Sequence, residues 1–172
     1  MTYIITISGI KFDLLNPTPE QIKLIDIAHS LSMTNRFNGH TQFPYSVAQH
    51  SLAVAEMVDA PYKLGALLHD AGEAYIGDII TPIKRLLPKA KEIENCILDV
   101  IFTKYGAIYT EEVSQVDQNM GLTEAIKLQF DAPRDCIPYN DYIFRERHWL
   151  DVCHEFINKF HDYSEGRYLE DA

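Results

Sequence analysis

Long apolar runs are missing from this chain. None approaches the ~20 residues that cross a bilayer, and the first residues carry no basic stretch followed by an apolar one. A soluble, cytoplasmic protein with no membrane partner is expected. An excess of basic charge is missing too. The formal net charge is -10 at pH 7, so the chain lacks the basic face that a nucleic-acid backbone requires. That deficit does not exclude a small phosphate ligand, because one arginine and one metal ion reverse the local field. Cysteine is scarce: Cys96, Cys136 and Cys153 are an odd number without CxxC spacing. They read as reduced thiols rather than a disulfide framework or a thiolate zinc site. There are no repeats, low-complexity tracts or internal domain boundaries. The 172 residues, 47% hydrophobic and 23% charged, suit one globular domain with a real core, spanning 1–172.

The elements that are present read mostly as helices. Residues 3–7 and 10–12, around Ser8-Gly9, are β-branched or aromatic and read as a small hairpin packed on helices. Thr18-Pro19-Glu20-Gln21 has the form of a capping box and predicts a helix along Ile22, Ile25, Ala28 and Ser32. Asn35 to Pro44 is a turn-rich loop carrying Arg36 and His40. Ser46 to Gln49 is a second capping box, opening a helix through Val54 and Val58. A central helix is predicted from Asp59 and Pro61 to Gly77, with Leu64, Leu68, Ala71 and Tyr75 as its stripe. Helices follow from Pro88 to Lys104, closed by Gly106, and from the cap at Thr110 along Val113, Val116 and Met120. Phe130 to Tyr139, with Pro133 and Pro138, reads as a linker, and Asp141 to His161 as the last helix. The sum is an all-α domain of about six helices with a minor N-terminal hairpin.

Several polar residues stand out of pattern. His50 shares a face with Val47 and Val54. His69 and Asp70 follow the stripe of the central helix, with Glu73 and Asp78 close behind. Asp117 sits inside an apolar stripe, where a carboxylate is costly without a partner. Two imidazoles and two carboxylates from three helices make a mixed nitrogen and oxygen donor set. Such a set suits one divalent ion of borderline or hard character: Mn, Co, Zn, Mg or Fe.

The order H…HD…D resembles the HD-domain metal-dependent phosphohydrolases. The segments YSVAQHSLAVA, LLHDAGEAYIGDIITPIK and the upstream RFNGH are similar to the YfbR- and YfdR-like 5'-deoxynucleotidase branch, over about residues 12–125. The resemblance implies an all-α HD fold with His50, His69, Asp70 and Asp117 on one catalytic ion. It implies release of phosphate from deoxynucleoside 5'-monophosphates. Related small HD proteins, the phage dATP triphosphohydrolases, release triphosphate from dNTPs instead, and a catalytically silent nucleotide sensor is the alternative of another class. Arg36 resembles the family's phosphate-contacting arginine. Glu73 and Asp78 match acidic positions used there for proton transfer and for water or sugar contacts, with their division of labour left open. Lys84 and His40 are further candidates for substrate binding. A homodimer or higher homo-oligomer is expected from the resemblance and from the aromatic last helix, with Phe144, Trp149, Phe156 and Phe160.

Overall fold

The computed structural model describes residues 2–129, 137–139 and 141–168. Cys136, Pro133 and most of the expected 130–139 linker lie outside them.

The fold is mostly helical with a small hairpin near the N-terminus, in agreement with the all-α expectation. Strands β1 (Tyr3–Ile5) and β2 (Lys11–Asp13) pair antiparallel, with Ile4 opposite Phe12. The turn between them needs Gly9, at φ +83°, where a side chain is strained. Two contacts fix this hairpin to the helices. Buried Asp26 accepts from the backbone N–H and the hydroxyl of Ser8, each at 2.8 Å, and Phe12 stacks on Tyr75 with ring centroids 3.9 Å apart.

Helix α1 (Leu24–Met33) begins later than its capping pattern predicts. Thr18 N–H does donate to Gln21 Oε1 at 3.1 Å, but the box closes only a 3-10 turn over Pro19–Gln21, and Ile22 is extended. Helix α2 (Val47–Met57) starts where expected: Ser46 Oγ accepts from Gln49 N–H, and Gln49 Oε1 accepts from Ser46 N–H.

The predicted central helix is broken. Helix α3 (Lys63–Leu68) stops at His69, a turn spans residues 69–72, and α4 (Glu73–Ile76) is one further turn, closed by Gly77 at φ +81°. Leu64, Leu68, Ala71 and Tyr75 are buried all the same. The break coincides with crowding: a Cβ on Gly72 would lie 3.1 Å from Leu98 Cγ and 3.2 Å from Glu94 O. After α5 (Thr81–Lys84), α6 (Pro88–Tyr105) ends at Gly106 in the left-handed conformation, and α7 (Glu111–Leu128) is capped by Thr110, whose hydroxyl accepts from Val113 N–H. Helix α8 (Trp149–Tyr163) is shorter than the expected 141–161. Residues 142–148 run non-helical, and their carbonyls are used by other elements: Lys127 Nζ donates to Tyr142 O and Gln49 Nε2 to Arg145 O. About six helices were expected; eight α-helical segments occur among the described residues, the difference lying in the short α3, α4 and α5.

Helix α1 packs on α8 and α4, and α2 packs on α3 and α7. Phe156 and Phe160 of α8 are fully buried inside this core, with Phe144 and Trp149 packed against it. The aromatic residues behind the oligomer expectation are therefore used within the subunit. No helix of the described residues is long and apolar enough to cross a membrane.

Helix α3 presses so closely on the loop before α7 that only glycine fits at position 65: a Cβ there would meet Ile108 O at 1.9 Å. Gly65→Ala must shift backbone, and overpacking of this kind costs about 1–3 kcal/mol. At roughly 2–4 °C per kcal/mol for a chain of this size, a thermal melt should show a drop of several degrees. His69 follows α3 directly, so its ring should be displaced as well. An unchanged melting temperature would mean that the loop yields freely.

A buried histidine and aspartate cluster

Three parts of the fold deliver the site. Helix α2 brings His50, the turn after α3 brings His69 and Asp70, and α7 brings Asp117. His50 is fully buried and His69 nearly so. The two Nε2 atoms stand 3.2 Å apart. Asp117 Oδ1 lies 3.0 Å from His50 Nε2 and 3.5 Å from His69 Nε2. Asp70 Oδ2 lies 3.6 Å and 3.2 Å from the same two nitrogens. The four residues expected as ligands are brought together.

The other nitrogen of each ring fixes the chemistry. His69 Nδ1 sits 2.7 Å from the carbonyl of Ala66, an oxygen that can only accept, so Nδ1 carries the proton. His50 Nδ1 sits 2.8 Å from Glu124 Oε1, and Glu124 is held below the usual glutamate range: burial opposes ionisation, but His50 and Arg36 outweigh it. In the neutral rings both Nε2 atoms therefore present lone pairs to each other and to two carboxylate oxygens. Four acceptors converge with no donor of their own. Something positive must lie among them, either a proton or a cation. Without a metal the demand falls on the rings. Burial works against charging His69, but Asp70 and Asp117 raise it well above the ordinary imidazole value. Burial likewise raises the cost of ionised Asp117, and the hydrogen bonds of His50 and His69 more than offset it, holding its carboxyl far down.

The spacings fit a divalent ion. Ligand atoms with bonds of about 2.1 Å stand ~3.0 Å apart in octahedral and ~3.4 Å apart in tetrahedral coordination. The observed 3.0–3.6 Å separations match adjacent corners of such a polyhedron. His50, His69 and Asp117 form a group that could hold a metal ion.

A cavity of about 830 Å³ opens beside the cluster. Arg36, Asp70, Glu73, Asp78, Lys84 and Asp117 line it. Arg36 reaches it from a 3-10 turn over Arg36–Gly39 in which Phe37 and Asn38 adopt positive φ, 55° and 52°. That conformation is costly for non-glycine residues and tends to occur at ligand sites. Arg36 N–H donates to Tyr45 O at 2.9 Å, which ties the turn to the start of α2. Its Nη1 lies 3.6 Å from Asp70 Oδ2.

Of the other two expected substrate contacts, Lys84 lines the cavity and His40 does not. Lys84 Nζ is clamped between Glu73 Oε1 at 2.8 Å and Glu94 Oε1 at 3.0 Å, so its N–H donors are directed at two buried carboxyl groups. His40 is exposed and does not line the cavity. Asp78 lines it half-buried, with its pKa raised by burial and by Asp70 against the pull of Arg36 and Lys84.

Glu124 was missed by sequence reasoning. It is fully buried and touches both His50 and Arg36, whose Nε lies 2.9 Å from its Oε2. Its one signal was position: seven residues beyond Asp117, two helical turns along the same face.

Glu73 carries an unusual load. Burial, with Asp70 and Asp78 nearby, pushes its pKa up to about 8 against the pull of Lys84. A carboxyl raised in the folded state contributes stability fully below its ordinary value, and that contribution is lost as pH rises through about 8. Glu73→Gln stays neutral throughout. Melting curves of the metal-free proteins should show wild type losing ground to Glu73→Gln between about pH 5 and pH 9, by ~2–4 °C per kcal/mol. A gap that stays constant across this range would place the proton elsewhere.

The fold and the cluster define a helical protein with a buried candidate metal centre. The chain is 41% identical to the uncharacterized protein YfdR of Escherichia coli over 133 residues, which cover 76% of this chain and 75% of that one, and it belongs to the same family. An uncharacterized protein of Rhodobacter capsulatus is 40% identical over 110 residues, 58% of this chain and 56% of its own length. No sequence-family profile matches the chain.

Proposed function

We propose that the chain is an HD-type metal-dependent phosphohydrolase that releases phosphate from deoxynucleoside 5'-monophosphates. One observation carries the reading: the Nε2 atoms of His50 and His69, each fixed as an acceptor by what its Nδ1 does, converge at 3.2 Å with two carboxylates on the wall of an arginine-bearing cavity. His50, His69, Asp70 and Asp117 would hold one divalent ion. Once bound, that ion supplies Lewis-acid charge against the phosphate.

The remaining work falls to side chains. Arg36 presents its guanidinium to the phosphate oxygens, where charge neutralisation is the main catalytic contribution in phosphoryl transfer. Asp78, free of the lysine clamp, takes the proton from the attacking water. Glu73, whose carboxyl burial and Asp70 hold above the ordinary glutamate range, gives a proton to the departing sugar oxygen. The new bond joins water oxygen to phosphorus, the bond from phosphorus to the 5' oxygen breaks, and one proton is gained and one lost by the protein.

A second reading, hydrolysis of dNTPs with release of triphosphate, is favoured by Arg85 and Lys91, which line the same cavity with Arg36 and offer positive charge to a longer phosphate chain. One experiment separates the readings. Metal-stripped protein is supplied in turn with Mn, Co, Zn, Mg and Fe, and incubated with a panel of dNMPs and dNTPs. Orthophosphate from dNMPs is the expected result, and triphosphate from dNTPs selects the second reading. Nucleotide binding without product under every metal would make the chain a sensor and contradict both.

A further inference from the structure

We propose that Glu124 is a shared positioning residue that builds the metal site and the phosphate site as one unit, so that neither forms correctly without it. The inference rests on the reading of His50 as a metal ligand and Arg36 as the phosphate contact.

The geometry is specific. Glu124 sits on α7, fully buried. Its Oε1 accepts from His50 Nδ1 at 2.8 Å and from the Tyr45 hydroxyl at 2.9 Å. Its Oε2 lies 2.9 Å from Arg36 Nε, an ion pair in which the N–H is not aligned for a hydrogen bond. One carboxylate thus serves two groups with different duties. Through Oε1 it fixes the proton on His50 Nδ1 and turns Nε2 toward His69 and Asp117. Through Oε2 it pairs with the Nε edge of Arg36, whose Nη1 lies 3.6 Å from Asp70 on the cavity wall. A buried carboxylate is expensive unless paired, and among the described residues its partners are His50, Tyr45 and Arg36, which themselves serve the site or support its loop. Tyr45 completes the unit, since its carbonyl accepts from the Arg36 backbone N–H at 2.9 Å. Removing the carboxylate therefore frees a ring rotation at the metal and a guanidinium rotation at the phosphate.

A residue that only filled space would be replaced by glutamine at little cost. Glutamine has the same shape, but one arm is a donor. It can accept from His50 Nδ1 or face Arg36 with an oxygen, not both, and one of the two contacts becomes donor against donor. The consequence is a paired loss.

The test measures two affinities in one protein. Mn²⁺ is titrated into metal-free protein by calorimetry, and orthophosphate into the metal-loaded form. Partners behind metal ligands typically control affinity by about 10–100-fold. Glu124→Gln should weaken Mn²⁺ by that range and orthophosphate by ~10-fold or more, while Arg36→Lys weakens orthophosphate and leaves Mn²⁺ within about threefold. In an Arg36→Met background the orthophosphate effect of Glu124→Gln should vanish while the Mn²⁺ effect persists. Glu124→Asp keeps the charge but is one methylene short of reaching both partners. It should also lose both affinities, and it decides the matter if Glu124→Gln does not fold. Retention of either affinity near the wild-type value in a folded Glu124 variant overturns the inference while leaving the metal reading intact. Failure of wild type to take up Mn²⁺ overturns both.

Discussion

Asp117→Ala should abolish turnover while leaving a folded protein. Asp117 Oδ1 lies between His50 and His69, 3.0 Å and 3.5 Å from their Nε2 atoms, and is the donor that α7 contributes to the cluster. Its removal takes one anionic ligand from the set and leaves two imidazole nitrogens and Asp70, with less negative charge to hold a cation. Loss of the Lewis acid is expected to cost about 4 kcal/mol or more, a rate loss of ~10³ or greater. The fold should tolerate the change. Val113, Val116 and Met120 still bury the inner face of α7, and Thr110 still caps its start. Breaking one partner from a buried charge set is usually costly, but the uncompensated groups left here are imidazoles, which can become neutral. The melting temperature of the metal-free variant should stay within about 4 °C of metal-free wild type, which corresponds to ~1 kcal/mol. Saturating metal should raise the wild-type value by about 3 kcal/mol of stability at a hundredfold excess over Kd and leave the variant unmoved. Substantial turnover by Asp117→Ala would remove the metal centre from the mechanism.

Arg36→Lys has the second-largest expected effect. The arginine divides its work: Nε faces Glu124, Nη1 is 3.6 Å from Asp70, and the remaining donor capacity faces the cavity. A lysine has one compact ammonium and cannot face Glu124 and a phosphate with a rigid fork. If Arg36 binds charge that grows in the transition state, the cost is about 2–4 kcal/mol, or ~30- to 1000-fold in kcat, with a smaller rise in KM. Metal content should be unchanged, since no donor atom is lost. A variant with wild-type kcat and raised KM would make Arg36 a ground-state binding residue.

Much of this arrangement was legible in the sequence because its causes are local. The Ser46–Gln49 box opens α2 as written, Thr110 caps α7, and Gly106 closes α6, since each device acts within four residues. Asp117 declared itself by breaking an apolar stripe. What escaped depends on partners distant in the chain. The spacing of Leu64, Leu68, Ala71 and Tyr75 runs unbroken through residues 69–72, so nothing local announces the turn; the crowding of Gly72 by Glu94 and Leu98 on α6 is tertiary. The start of α8 was misplaced by eight residues because the carbonyls of Tyr142 and Arg145 are satisfied by Lys127 and Gln49, not by a helix. Lys84 read as a candidate for substrate binding, and the burial of Glu73 and Glu94 around it cannot be read from their spacing. Glu124 was overlooked because a glutamate late in a polar helix is ordinarily solvated. Only the arrival of His50 from α2 and Arg36 from the preceding loop makes it a buried anchor.

Glu73 links the pH dependence of stability to that of catalysis. If it donates the proton to the leaving oxygen, kcat should fall as pH rises through the raised pKa of its carboxyl, at a lower pH than in the metal-free protein because the bound ion favours the ionised form.

The most direct measurement of the central claim is a calorimetric titration of metal-free protein with Mn²⁺ or Co²⁺, at neutral and at mildly acidic pH. One ion per chain is predicted, with affinity falling on acidification, because protons on His69 and His50 compete for the same lone pairs. The same titration of His69→Ala should show no saturable uptake. Absence of binding by wild type, or undiminished binding by His69→Ala, would contradict a metal centre built on these residues.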